Sequence, residues 1–287
     1  MKNTFLALFC IFTFSMASAQ KGDFHLDEIY KISKNGTLDL RTSDAKVYIT
    51  GTNRVDAHVK INRTVTAKGV TFGDESFTVD VNESNGNLTI RERARSVNVG
   101  IIGYYSETYK IEIDLPRGVS LKLEGDDGDY FIKNVDGNIA LDMDDADAEL
   151  TNCNGNQFSF KLDDGDIRMD GGKGTLEVRS DDGDIEVNNA SFTSIYADLD
   201  DGDFMVETTL ADNGDYRIFS EDGSIVLKIT GGGGKFDIHH DDARVITEGN
   251  FKVIEEDSNR TRATLANGTA IVRLSSDDGR IRLSTRE

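Results

Sequence analysis

The stretch Asp126-Asp127-Gly128-Asp129 is written seven more times, with small changes, before the chain ends. The copies are Asp144-Asp145-Ala146-Asp147, Asp163-Asp164-Gly165-Asp166, Asp181-Asp182-Gly183-Asp184, Asp200-Asp201-Gly202-Asp203, Glu221-Asp222-Gly223-Ser224, Asp241-Asp242-Ala243-Arg244 and Asp277-Asp278-Gly279-Arg280. Successive third positions lie 18, 19, 18, 19, 21 and 20 residues apart, then 36 before the last, which reads as one copy overwritten. A fixed period of this length marks a quasi-one-dimensional stack in which each repeat touches its neighbours.

Working outward from each Gly or Ala, the apolar residues keep fixed offsets. Seven and five places before it stand pairs such as Ile139/Leu141, Phe158/Phe160, Leu176/Val178 and Tyr216/Ile218. Two and four places after it stand Tyr130/Ile132, Ile167/Met169, Ile185/Val187 and Phe204/Val206. Alternation with period two on both flanks predicts two strands, each with one buried face. The inward parity switches across the acidic four, so that segment is a corner. Asp suits it by bonding nearby backbone, and Gly by adopting positive φ. Each repeat therefore supplies two strands and two corners. The expected fold is all-β: a single-domain parallel β-solenoid, or β-helix, with coils of ~19 residues, a right-handed coil being the favoured hand. No segment beyond the first residues carries a helical apolar stripe, and Pro116 is the only proline.

Upstream, Lys46–Ile49, Val55–Thr66, Ser76–Val81, Asn87–Arg91 and Thr108–Leu115 also alternate. Thr42-Ser43-Asp44-Ala45 is a degenerate corner, with Leu38 and Leu40 at the expected offsets. The reading is one domain over 20–287, with wider, irregular coils at 20–117 and regular acidic-corner coils at 118–287. The second corner varies in length (170 to 175 in one coil, 188 to 194 in the next), so insertions are expected there.

The run from Tyr109 to Leu123, Tyr-Lys-Ile-Glu-Ile-Asp-Leu-Pro-Arg-Gly-Val-Ser-Leu-Lys-Leu, is followed by serial Gly-Asp-hydrophobic-x-hydrophobic units. Together they resemble the bacterial putative-adhesin family of β-strand-repeat domains, a β-solenoid family of unknown function. The resemblance implies a cell-envelope setting and brings no catalytic residues. The doubled Asp departs from the family's usual Ser-Gly-Asp corner.

Met1-Lys2-Asn3, the apolar run from Phe5 to Phe14, and Ala17-Ser18-Ala19 form the three parts of a signal peptide over 1–19. Export to the periplasm, cell surface or medium is expected, with no membrane insertion after cleavage. Loss of the leader leaves Cys153 as the one thiol, so no intramolecular disulfide can form; it is expected to be a small buried residue. The formal charge is −20 for the whole chain, and about −21 once Lys2 is lost. Such a balance argues against nucleic acid and anionic membranes as partners.

Stacking places equivalent corner carboxylates about 4.8 Å apart. Neighbouring charges at roughly 5 Å repel by about 0.8 kcal/mol in water and about 3 at an effective dielectric of 20. The ladder of Asp127, Asp145, Asp164, Asp182 and Asp201 must therefore lie in water, accept backbone N–H bonds, or bind a cation. The last case suits Ca²⁺, a hard ion taking oxygen ligands, although the G-G-x-G-x-D pattern of calcium β-rolls is missing. No other cofactor is expected. His239-His240 is the one cluster of transition-metal ligand types, but adjacent strand residues point to opposite faces. His239 should face out and His240 inward. No nucleophile–base pair assembles, and carboxylates are too numerous for any two to suggest glycosidase chemistry. The sequence thus points to a non-catalytic, adhesin-like binding or scaffolding module for a glycan or protein. The alternatives are a polysaccharide-active β-helix enzyme or a calcium-binding envelope or sensing protein.

Overall fold

The computed structural model describes residues 22–286, and their side chains except at 69–76 and 94–102. Among these residues there is no helix. The strands are β1 (Phe24–Tyr30), β2 (Thr37–Thr42), β3 (Lys46–Thr52), β4 (Ala57–Ser84), β5 (Asn87–Pro116), β6 (Ser120–Gly125), β7 (Asp129–Lys133) and β8 (Ile139–Met143). There follow β9 (Asp147–Thr151), β10 (Gln157–Leu162), β11 (Ile167–Asp170), β12 (Lys173–Ser180), β13 (Ile185–Leu199), β14 (Phe204–Thr209) and β15 (Asp215–Ser220). The last are β16 (Ser224–Gly231), β17 (Gly234–His240), β18 (Arg244–Glu248), β19 (Phe251–Glu256), β20 (Arg260–Leu265), β21 (Ala270–Ser276) and β22 (Arg280–Thr285).

They wind into a parallel β-solenoid with two sheet faces. The strand before each acidic corner lies on a front face, where β2, β6, β8, β10, β12, the second half of β13, and β15 pair in parallel, in that order. The strand after the corner lies on a back face, where β3, β7, β9, β11, the first half of β13, β14 and β16 do the same. Register places like on like: Ile167 opposes Ile185, and Ile185 opposes Phe204. All the apolar residues at the offsets named above are buried, including Phe158, Phe160, Leu176, Val178, Tyr216 and Ile218. The core is one continuous column between the faces. Two buried tyrosine hydroxyls reach backbone partners, as buried polar groups must. Tyr216 Oη donates to the Phe192 carbonyl at 2.7 Å and accepts the Ala211 N–H at 2.8 Å, while Tyr130 Oη reaches the Glu124 carbonyl at 3.4 Å.

Both ends depart from the simple stack. At the first, β5 forms a wide coil, parallel to β2 and β3, as expected for the upstream region. However, β4 runs antiparallel along the whole of β5, from His58↔Asp114 to Ser84↔Asn87, and β1 runs antiparallel to β4. The expectation of coils throughout this region is corrected: 57–84 is the outer arm of a long hairpin. The hairpin's extra length, 93–108, replaces an acidic corner. The largest insertion therefore sits on the edge opposite to the one expected to tolerate it.

At the other end, the 36-residue gap is not an overwritten copy. The strand β21 pairs with β15 on one side and β17 on the other, and β22 lies between β16 and β18. The eighth acidic copy is thus inserted between the sixth and the seventh. The residues in the gap build β19 and β20, which close the front face with antiparallel pairing. A solenoid stack exposes unpaired backbone at its ends, and such capping strands limit that liability.

Candidate binding surfaces

The acidic edge is built mainly by backbone. The N–H of Asp145 donates to the carbonyl of Asp126 at 2.8 Å, and those of Asp164, Asp182 and Asp201 donate to Asp144, Asp163 and Asp181 at the same distance. With its amide engaged one coil back, the corner leaves the side chains free to turn outward. Asp127, Asp145, Asp164, Asp182 and Asp201 are all exposed, one per coil. Among the described residues, no three His, Cys, Asp or Glu side chains converge closely enough to hold a metal ion.

The fourth corner position behaves differently. Asp147 Oδ1 accepts the N–H of Asp166 at 2.9 Å, Asp166 that of Asp184 at 3.2 Å, Asp184 that of Asp203 at 2.8 Å, and Asp203 that of Ser224 at 2.9 Å. These carboxylates bond the backbone of the next coil, a charge-assisted contact stronger than a neutral one. Beneath the corner, three places before the Gly, lies a row that includes buried Thr42, Ser180, Ser220 and Ser276. The Ser220 and Ser276 hydroxyls donate to the carbonyls of Asp222 and Asp278 at 2.9 and 2.7 Å. At the first coil Glu92 closes the edge, accepting from the Thr42 hydroxyl at 2.8 Å and the Ser43 hydroxyl at 2.7 Å. Burial, and then the neighbouring charge of Asp127, push the Asp44 carboxyl above its ordinary pKa.

Glycine enters the acidic corner for two reasons. Gly202 has φ of 101°, the left-handed conformation foreseen for it. Gly183 does not; there a Cβ would lie 2.0 Å from the Gly165 carbonyl oxygen, so close stacking is the constraint.

On the second edge Asn134, Asn152 and Asn189 each hold φ near +55°, at 58°, 55° and 55°, with Gly171 in the same place in the intervening coil. Asn tolerates this region better than other side chains. Asn152 Nδ2 also donates to Asn134 Oδ1 at 2.6 Å, a short asparagine ladder. Its signal in the sequence is the recurrence of Asn134, Asn152 and Asn189 at the end of three of the four post-corner strands between Asp129 and Asn189.

The two faces carry outward residues in rows. On the back face Tyr48 and Phe131 stack with centroids 5.0 Å apart, flanked by Lys110 over Tyr48 and Lys46 over Phe131. Each ring thus carries an ammonium within 5.0 Å of its centroid. On the front face Tyr196 and Phe219 lie 6.1 Å apart and tilted, with Asp215 beside them pairing with Arg217 and Arg273 at 2.6 and 2.9 Å.

His239 is exposed and His240 half-buried against the Thr261 hydroxyl at 3.2 Å, so the two diverge as expected. Cys153 is buried, its thiol pushed up by that burial, and its Sγ lies 3.7 and 3.6 Å from the carbonyls of Ile132 and Thr151. It is a packing residue. The leader lies outside the described residues; within them, no helix is long and apolar enough to cross a membrane.

The Toastrack DUF4097 family matches over residues 35–284. No curated protein sequence matches the chain. Among solved structures, a putative adhesin from Bacteroides fragilis is similar, at 14% identity and a TM-score of 0.50, over 91% of this chain and 97% of that one. A putative cell adhesion protein from Clostridium sporogenes aligns at 12% identity and a TM-score of 0.29, covering 92% of this chain and all of the other. A putative lipid binding protein from Parabacteroides distasonis aligns at 11% and 0.37, covering 94% and 100%. At these identities the likeness concerns fold.

Proposed function

The chain belongs to the Toastrack DUF4097 family, and from that premise we propose that it is a non-catalytic, exported module of the cell envelope. Its two outer faces bind or scaffold an extended ligand, a glycan or another protein. The observation that carries this reading is the shape of those faces. The front face is thirteen strands deep, counting from the second half of β4 through β5, β2 and the stack to β19. At about 4.8 Å per strand it runs for roughly 55–60 Å. The regular coils turn through corners of a few residues, so no wall of loops rises to enclose a substrate. A polysaccharide-cleaving β-helix needs such a wall to hold a sugar against its acid and base. The aromatic pair Tyr196 and Phe219, with the arginines beside it, suits an extended sugar or peptide lying along the sheet.

A glycan array and a panel of polysaccharide substrates test the reading with the same purified protein. Binding to an extended glycan or envelope protein, weakened at least tenfold by Tyr196→Ala with Phe219→Ala, is expected, with no turnover. Hydrolysis or elimination abolished by one Asp→Asn change would overturn it in favour of an enzyme.

A further inference from the structure

A hollow of about 590 Å³ opens where the first-end cap joins the stack, on the edge away from the acidic corners. Three connections outside the repeat meet there: the link from β1 to β2, the turn between β3 and β4, and the link from β5 to β6. They bring Lys34, Arg54 and Arg117 to one cavity, together with Val55, Pro116 and Asp136. In a chain of net charge −20, a wall with three cations and one carboxylate is a local reversal of sign.

The framework is held by backbone. The Arg117 N–H donates to the Thr52 carbonyl at 3.1 Å, and the Asp136 N–H to the Arg117 carbonyl at 2.6 Å. The Thr52 hydroxyl donates to the Leu115 carbonyl at 3.2 Å. The cations differ in what they already hold. Arg117 Nε meets Asp136 at 3.0 Å, and Arg54 Nη2 meets Asp56 at 2.6 Å. Among the described residues Arg54 Nε is buried with no acceptor, a rare condition for a donor in a folded protein. Lys34, which is exposed, forms no ion pair with a carboxylate among the described residues. Val55, 86% exposed, is an apolar side chain left in the open beside these groups. A cavity of this size is in the usual range for small-molecule sites, which pair an apolar wall with a few polar groups.

We propose that this hollow is an anion-binding site for a carboxylate or phosphate carried on a small, partly apolar body, such as an acidic sugar residue. The exposed Lys34 ammonium holds the oxyanion, the solvent-facing parts of the Arg54 and Arg117 guanidinium groups add charge at the rim, and Val55 with Pro116 contacts the body. Planar guanidinium groups match carboxylate and phosphate geometry. The site is separate from the flat faces, so it stands or falls apart from the function proposed above.

Calorimetric titration of the purified protein with galacturonate, inorganic phosphate and neutral galactose, at ionic strength matched with NaCl, tests it. At least one anion should saturate, with Kd on the order of 1 mM, while galactose does not bind. Lys34→Gln and Arg54→Gln should each weaken binding about tenfold, and Arg244→Gln, remote from the hollow, should not. Saturation by galacturonate alone assigns a carboxylate ligand, and by phosphate alone a phosphorylated one. The Lys34 side chain is exposed and makes no hydrogen bond or ion pair among the described residues, so Lys34→Gln separates lost binding from lost structure. The proposal is overturned if neither anion saturates below about 50 mM, or if both variants bind as the wild type does.

Discussion

The carboxylate of Asp184 accepts the backbone N–H of Asp203, one coil further along, at 2.8 Å. That contact divides the acidic edge into two populations. Fourth-position acids from Asp147 to Asp203 bond the next coil's backbone, and those at the second position face water. Replacing Asp184 by Ala removes the acceptor and should lower stability by about 1 kcal/mol, the usual net worth of such a bond. Asp184→Asn keeps an amide oxygen in place and should cost markedly less. Urea midpoints for the two variants make the comparison, and equal losses would show that the oxygen contributes nothing.

The exposed ladder of Asp127, Asp145, Asp164, Asp182 and Asp201 gives the opposite expectation. If water alone surrounds it, Asp164→Asn relieves two repulsive neighbours and should stabilise slightly, with NaCl mimicking most of any CaCl₂ effect by screening. If the ladder binds Ca²⁺, a hundredfold excess over Kd adds about 2.7 kcal/mol, and Asp164→Asn reduces that gain. Melting curves in the two salts at matched ionic strength decide: coincident curves for the wild type would rule out the calcium ladder.

The stack was legible because each buried row is copied at the same offset, so Phe158, Ile167 and Ile185 announce their side from sequence alone. The ends were not. Local alternation in 57–66 and 76–81 reports that a strand has one buried face, but not whether it runs with or against its neighbour. Nor does a gap of 36 residues say that Asp277-Asp278-Gly279 re-enters the stack before Asp241-Asp242-Ala243. Strand order is a long-range property, set by how the caps cover exposed edges. The hollow around Arg54 was illegible for the same reason: Lys34, Arg54 and Arg117 are distant in sequence and belong to no repeat.

Within the column, Ile185 is fully buried between Ile167 and Phe204. Ile185→Asp places an unpaired carboxylate in an apolar row with no route to water. The cost should exceed about 4 kcal/mol, enough to unfold a marginally stable chain. Unchanged thermal unfolding would contradict the core assignment.

Arg63 is a buried cation at the base of the long hairpin, its side chain 4% exposed. Glu107 binds it through two contacts, Nε to Oε1 at 2.5 Å and Nη2 to Oε2 at 3.0 Å, and the guanidinium lies 4.4 Å from the Phe77 ring centroid. Arg63 Nη1 also donates to the Gly22 carbonyl at 2.7 Å, so Glu107→Ala removes two charge-assisted bonds without isolating the cation and should cost about 1.5–3 kcal/mol. Arg63→Met with Glu107→Leu removes both charges and should recover most of the loss. A double variant no better than Glu107→Ala would show that packing, not the ion pair, holds the hairpin base.

Two carboxyls should give pH dependences of opposite sign. Burial, then Asp127, raise Asp44 above its ordinary 3.8, so the folded state holds this proton more tightly than the unfolded chain. Its contribution is most favourable below the unfolded value and is lost as pH rises through the folded one. Asp44→Asn should therefore stabilise slightly at pH 7, and the gain should vanish on acidification below 3.8. Asp237 is the reverse case. Two bonds from Arg260, Nε to Oδ1 and Nη2 to Oδ2, each 2.8 Å, hold it below 3.8 against the opposing effect of burial. Its stabilisation is present above the unfolded value and lost as pH falls through the depressed one. Asp237→Asn should destabilise at pH 7 and lose that effect in acid. Melting temperatures of both variants between pH 2.5 and 7 supply the test, and shifts of the same sign at neutral pH would refute the assignment of one or the other.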